Sequence, residues 1–230
     1  MNLDALSDPE AIVRIVQGLI VLLLSICVHE YGHAIVADKL GDPLPRSQGR
    51  TSLNPLVHAD PIGTFLFPLI FMVMSGGRGY GFGWGKPVLT NPRSYTRKLT
   101  MRKGHLLVAA AGPAMNVLFG VFLCFVCVGL LKFGVLQKTD QVTTALISAV
   151  SLNFILCFFN LIPAPPLDGG AVVEGLLPDS LLPAYKQFAV YGPFVLMAVI
   201  FIGPLSVIFT YPADLLTGWV FTGVKMVFGF

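Results

Sequence analysis

The residues of this chain best suited to chemistry are two histidines four apart with a glutamate directly after the first, His29-Glu30-Tyr31-Gly32-His33. On a helix, side chains four apart lie on one face, a turn from each other. The two imidazoles can then share one cation, and Glu30 can reach a water held at that face. The pattern H-E-x-x-H supplies zinc with two neutral imidazole ligands and sets a carboxylate to take a proton from the water. Here it closes an apolar run, Ile15 to Val28, that carries no charge. Ionisable groups at membrane depth are costly and mark function.

Catalytic zinc takes three protein ligands and keeps a fourth position open. The candidates for the third are Asp38, Asp42, Asp60, Asp168, Glu174, His58 and His105. Asp38 and Asp42 follow the motif too closely to fold back onto it, and Asp60 lies among basic residues. His58 and His105 read as interfacial side chains. Asp168 ends a second unusual stretch, Asn160-Leu-Ile-Pro-Ala-Pro-Pro-Leu-Asp168-Gly-Gly. Its three prolines cannot continue a helix, so the backbone there must be extended. Non-helical backbone at membrane depth survives only when buried in protein or lining a wet cavity, and Asp168 would be delivered into such a cavity. One carboxylate ligand plus Glu30 brings a divalent cation close to neutral. Asn160 either caps its helix or donates to the oxyanion of a tetrahedral intermediate or to the substrate backbone.

The elements that must position these groups are membrane segments. Of 230 residues 55% are apolar and only 12% charged, against roughly 25% charged in a soluble protein, and the mean hydropathy is +0.78. This composition predicts an all-α polytopic membrane protein of one domain, residues 1–230, with about five to six membrane segments. A span needs roughly 20 apolar residues. Residues 11–37, 106–131 and 142–170 meet that need as the core, the last ending in the proline break. Ten of the fifteen basic residues fall between Lys39 and Lys103, with Asp38, Asp42 and Asp60 in or beside the block. The positive-inside rule makes it cytoplasmic, so the first span runs inward and its motif lies nearer the cytoplasmic face. Acids precede that span (Asp4, Asp8, Glu10) and no secretory signal pattern is present, so the expectation is a retained span in the cell membrane. Nucleic acid is a poor partner for a basic block tied to membrane segments and rich in glycine and proline.

Residues 38–105 read as a membrane-associated loop region with room for short β strands. Ile62 to Met74 is short for a crossing and holds Pro68, which suggests a re-entrant or membrane-lying hairpin. The run Gly76-Gly-Arg-Gly-Tyr-Gly-Phe-Gly-Trp-Gly is a flexible interfacial loop or an extended edge able to hold a substrate strand. In the second span, Ala111-Gly-Pro-Ala-Met-Asn116 offers small residues for close helix approach and an amide to bond across it. Residues 186–230 hold two further segments: Phe188 to Phe209, broken near Pro193 and Gly203-Pro204, and Asp214 to Phe230, either a short span or an interfacial helix. Cys27, Cys124, Cys127 and Cys157 read as small apolar helix residues rather than as redox or metal groups.

Taken together, the three motifs resemble the site-2 protease family of intramembrane zinc metalloproteases: His29-Glu-Tyr-Gly-His33 in a span, Ala111-Gly-Pro with Asn116 in the next, and Asn160-x-x-Pro-x-Pro-x-Leu-Asp168-Gly. The resemblance covers about residues 20 to 180. It implies a three-helix catalytic core, one zinc on His29, His33 and Asp168, and Glu30 as general base. It further implies hydrolysis of peptide bonds in or near the transmembrane helix of a membrane-anchored protein, releasing a regulatory fragment. Asn160 matches the family asparagine with a substrate or oxyanion role, and Asn116 is placed with it at the substrate. Ala171 departs from the family, which often has a basic residue there, and no stretch resembles the PDZ or CBS modules of some members. Two rivals remain: a membrane zincin with Glu174 as third ligand, and a zinc transporter or inactive metal-binding scaffold. Oligomeric state is not legible.

Overall fold

The computed structural model describes residues 7–76 and 83–229. The first helix, α1 (Pro9–Lys39), starts where the Asp8 side chain accepts the Glu10 N–H and Pro9 fills a position needing no donor. Its 31 residues extend about 46 Å at 1.5 Å each, well beyond the roughly 30 Å of a bilayer core. Helix α5 (Met101–Lys132), capped by the Thr100 hydroxyl, is as long, and α6 (Gln141–Asn160) follows after a short turn. These three helices pack on one another. Leu22 and Ile26 of α1 bury against Leu152 of α6. Gly32 lets α1 approach α5 so closely that a Cβ there would lie 2.6 Å from Ala111 O.

Between α1 and α5 the chain forms short pieces: α2 (Leu44–Ser47), α3 (Pro55–His58), a π-helix (Pro61–Leu66) and α4 (Phe67–Met74). The π-helix has a local cause. Pro68 has no N–H for the carbonyl of Thr64, and the turn before it widens so that Phe67 N–H reaches Ile62 O. Pro61 to Met74 is apolar but, at about 21 Å, too short to cross. It lays Met72 and Val73 against Ile15 of α1 and leaves Phe65, Leu69 and Phe71 exposed.

The run of alternating glycine and aromatic residues falls largely on 77–82, outside the described residues. Its tail continues as an extended segment, residues 83–90. No strand occurs among the described residues, so the β strands for which the loop region had room are not found there. The segment is instead fastened group by group. Trp84 N–H donates to Gly63 O, the Thr64 hydroxyl to Trp84 O, Lys86 N–H to His58 O, and buried Arg50 to Lys86 O and Val57 O.

After α6 come the proline break, α7 (Asp168–Leu176), α8 (Leu182–Ala189), α9 (Gly192–Phe201) and α10 (Val207–Val227). Helices α8 and α9 bend by 54° at their junction. The breaks expected near Pro193 and Gly203-Pro204 are present, but the boundary expected between Phe209 and Asp214 is not. The chain breaks at Ile202 and runs as one helix through Pro212 and Asp214. Pro212 removes a single ladder bond near the helix start, while Ala213 and Val224 bury against Cys124, Val128, Val150 and Phe154. Packing of that kind outweighs one lost donor. Among the described residues, four helical stretches are long and apolar enough to cross a membrane, or five if the bent α8–α9 pair counts as one. The molecule is an all-α polytopic membrane protein.

Candidate metal centre

Along α1 the regular pitch puts His29 and His33 on the face turned to α5, with rings edge to face and centroids 4.7 Å apart. The two Nε2 atoms lie 3.1 Å from each other. Asp168, first residue of α7, brings Oδ2 to 3.2 Å from the His29 Nε2 and 3.3 Å from the His33 Nε2. Gly112 makes room for this on α5, since a Cβ there would sit 2.4 Å from the His33 Nε2.

Each imidazole has its other nitrogen committed. The His33 Nδ1 is 2.7 Å from Val108 O, a backbone carbonyl that only accepts. The His29 Nδ1 is 2.6 Å from the Oδ1 of Asn116. In the neutral rings both Nδ1 atoms therefore carry the proton and both Nε2 atoms present lone pairs. Two lone pairs and a carboxylate oxygen facing one another repel unless a proton or a metal cation lies between them. The Oδ2 of Asp168, buried and without a hydrogen-bond donor, has the same need. The spacing fits as well. Ligands about 2.0–2.1 Å from a tetrahedral zinc stand about 3.3 Å apart, and the triangle here has sides of 3.1, 3.2 and 3.3 Å. Among the described residues this is the one group of three side chains arranged to hold a metal ion.

The other residues considered as third ligand are engaged elsewhere. Asp38 pairs with Arg46 at 2.6 Å, Asp42 accepts from Leu44 and Asn91 N–H, and Asp60 caps the π-helix. Glu174 faces Lys186 on α8 at 3.8 Å. His58 is fully enclosed with its Nε2 on Ser52 O, and burial lowers its pKa. His105 is exposed on α5 at the rim of the cavity.

That cavity, about 560 Å³, is walled by His29, His33, Asp168 and Glu30 together with the segment from Gly83 to Thr90. One oxygen of Glu30 accepts the Val88 N–H at 3.0 Å. Asn160 also lines the cavity. One of its amide hydrogens goes to Leu156 O at 2.9 Å, and it makes no other hydrogen bond among the described residues. Asn116, expected at the substrate, is placed otherwise. It is fully enclosed behind His29 with its oxygen on the ring and its amide on Ser25 O and Asn153 Oδ1. A buried amide with all its bonds made inside the protein has no group to offer a substrate.

Residues 17–151 and 128–202, two overlapping stretches, match peptidase family M50. This chain belongs to peptidase family M50. The M50 chain is 34% identical over 197 residues to YwhC of Bacillus subtilis, covering 84% of this chain and 83% of YwhC. It is 31% identical to Rip2 of Mycolicibacterium smegmatis, over 79% of this chain and 65% of that protein. Against Rip2 of Mycobacterium tuberculosis it is 30% identical, over 90% of this chain and 70% of Rip2. All three relatives bear zinc-metalloprotease names. No solved structure matches the chain. The protein is thus a zinc-dependent peptidase with membrane-spanning helices.

Sequence reasoning passed over several groups that shape this M50 centre: the Val108 carbonyl, the Val88 N–H, Ser25 and Asn153. The two backbone groups leave no trace in residue type. Asn153 did, as an amide in the middle of the apolar run from Val142 to Phe159.

Proposed function

We propose that this M50 peptidase cleaves peptide bonds in or near the transmembrane helix of membrane-anchored proteins, releasing a regulatory fragment. Zinc held by His29, His33 and Asp168 would serve the reaction, with Glu30 as general base. The observation that carries this reading is the near-equilateral ligand triangle with Glu30 beside it, in a cavity between helices long enough to cross a bilayer. A zinc ion there would acidify a water and polarise the scissile carbonyl.

Glu30 accepts the proton of the attacking water and then gives it to the nitrogen of the leaving amine. The Val88 N–H on its second oxygen keeps the carboxylate turned to the cavity. Asn160 has one uncommitted amide hydrogen on the cavity wall, fit for the developing oxyanion or the substrate backbone. A helical substrate hides its peptide bonds in its own ladder and must open locally before it can enter.

The depth of the site follows from α1. His29 and His33 precede Lys39 by ten and six residues, about 15 and 9 Å along the helix. Lys39, together with Arg102 and Lys103 at the start of α5, marks the basic end of both helices. Under the positive-inside rule that end is cytoplasmic, which favours a cell-membrane enzyme with its centre nearer the cytoplasm.

The decisive measurement is cleavage of a tethered helical substrate in detergent by the intact enzyme and by Glu30→Gln. We expect the variant to lose about 10²- to 10⁴-fold in rate with its bound zinc unchanged. Equal rates would remove Glu30 from the reaction.

A further inference from the structure

Behind the metal centre lies a chain of polar groups that the chemistry above does not use. Ser25, Asn116 and Asn153 are each 0% exposed and come from α1, α5 and α6, one from each helix of the core. Asn116 takes the His29 Nδ1–H on its oxygen. Its amide nitrogen donates to Asn153 Oδ1 at 2.9 Å and to Ser25 O at 3.2 Å. Asn153 donates in turn to the Ser25 hydroxyl at 2.9 Å and to Ala149 O at 2.8 Å. The Ser25 hydroxyl donates to Val21 O at 2.8 Å.

The direction of this chain is fixed. Three of its acceptors, the carbonyls of Val21, Ser25 and Ala149, belong to the backbone and cannot donate. Ala149 O forces the nitrogen of Asn153 to its own side, which turns the Asn153 oxygen to Asn116. Two acceptors then face the Asn116 nitrogen, so a flipped Asn116 would set oxygen against two oxygens. Asn116 must present its oxygen to His29, and the ring must carry its proton on Nδ1.

We propose that Asn153, acting through Asn116, is a positioning residue that fixes the metal-binding tautomer of His29. The proposal rests on His29 being a ligand through Nε2. His33 needs no such relay, because its Nδ1 already meets the backbone carbonyl of Val108. The alternative is that the three side chains only bond helix to helix, a common use of buried amides in membranes. That role would leave the tautomer and the metal affinity untouched.

The test uses full-length protein labelled with ¹⁵N at histidine, observed free of metal, together with titration by zinc. Metal-free wild type should show His29 and His33 both protonated on Nδ1. In Asn153→Leu the His29 signal should move towards a mixture with the Nε2–H form while His33 stays put. Zinc should then bind about 10- to 100-fold more weakly, the usual effect of losing an outer partner of a ligating histidine. Asn153→Asp, a neutral acid in this setting that can donate to Ala149 O and accept from Asn116, should restore both readouts. A neutral His29 with its proton on Nε2 and none on Nδ1 in wild type would overturn the proposal without any variant. So would Asn153→Leu with unchanged tautomer and zinc affinity, whatever its stability. A wild type that takes up no zinc would overturn the metal-centre reading itself and the relay with it.

Discussion

His29 and His33 stand one turn apart on a helix that runs unbroken from Pro9 to Lys39. Asp168 reaches the same point from a chain that stopped being helical at Asn160. On the histidine side the backbone satisfies itself, and the distance between ligands follows from the helix pitch. The remaining task is to orient two rings, which falls to Val108 O and to Asn116. On the aspartate side the backbone has to be held in place by its surroundings. Ala164 N–H turns back to Ile162 O, and Leu167 N–H to Ala164 O. Ile162 and Ala164 bury against Val199 of α9. A rigid element delivers one half of the centre, and a packed coil leaning on the C-terminal helices delivers the other.

The largest effects should come from the ligands and should be alike from either side. His33→Ala and Asp168→Ala are each expected to abolish both proteolysis and retention of zinc through gel filtration. The two halves should differ in how far their local structure depends on the metal. Helix α1 makes all its ladder bonds without His33, so circular dichroism and protease resistance of His33→Ala should match those of metal-free wild type. The segment 161–170 has few such bonds, and removing zinc from wild type should speed proteolytic nicking there but not in α1. Equal protection of both regions with and without metal would remove the contrast between the two halves.

This contrast also explains how much can be read from the chain alone. A spacing of four and a carboxylate between are statements about one helix, and they are visible at once. The proline break is visible too, because proline excludes helix wherever it occurs in a helix interior. How each ligand is held is not visible. Asn116 lies 87 residues from His29 and Asn153 128 from Ser25, so their pairing depends on how three helices dock. The bond that Asn116 makes across the helix contact is legible from its small neighbours, while the resemblance places it at the substrate, since an amide near a site looks the same from either side of a ring. The boundary expected between Phe209 and Asp214 fails for a similar reason. Pro212 costs one ladder bond there, and burial of Ala213 and Val224 decides the length of α10.

Each half has glycines at close approaches, and substituting one from each compares the halves at closer range. A methyl on Gly112 would lie 2.4 Å from the His33 Nε2 and 2.7 Å from the His29 Cε1, against both rings. A methyl on Gly192 would lie 2.0 Å from Pro165 O, against the coil three residues before Asp168. Overpacking of this kind costs about 1–3 kcal/mol. Gly112→Ala must take that cost at the ligands themselves, and we expect zinc affinity to fall by roughly 5- to 150-fold. Gly192→Ala can shift α9 instead, so the melting temperature should drop while zinc affinity falls several-fold less than in Gly112→Ala. Isothermal titration with zinc and thermal unfolding of both proteins would check this. A stronger loss of zinc from Gly192→Ala would mean that the aspartate side, not the histidine side, governs affinity.

The smallest perturbation addresses the coil alone. The Tyr185 hydroxyl of α8 donates to Gly170 O at 2.9 Å, two residues beyond Asp168. Tyr185→Phe removes that bond and almost no volume, so the change in stability should be about 1 kcal/mol. Its effect on the centre depends on whether α8 holds the coil in the position that zinc requires or merely touches it. If α8 holds it, the lost bond should appear in zinc binding as a faster dissociation, about fivefold for 1 kcal/mol, with kcat of the zinc-loaded enzyme changed less. Substitutions at exposed positions of α8 such as Gln187 should leave dissociation as it was. Unchanged zinc dissociation in Tyr185→Phe, measured with a chelator in excess, would show that the prolines and glycines of residues 163–170 set the aspartate without help from the C-terminal helices.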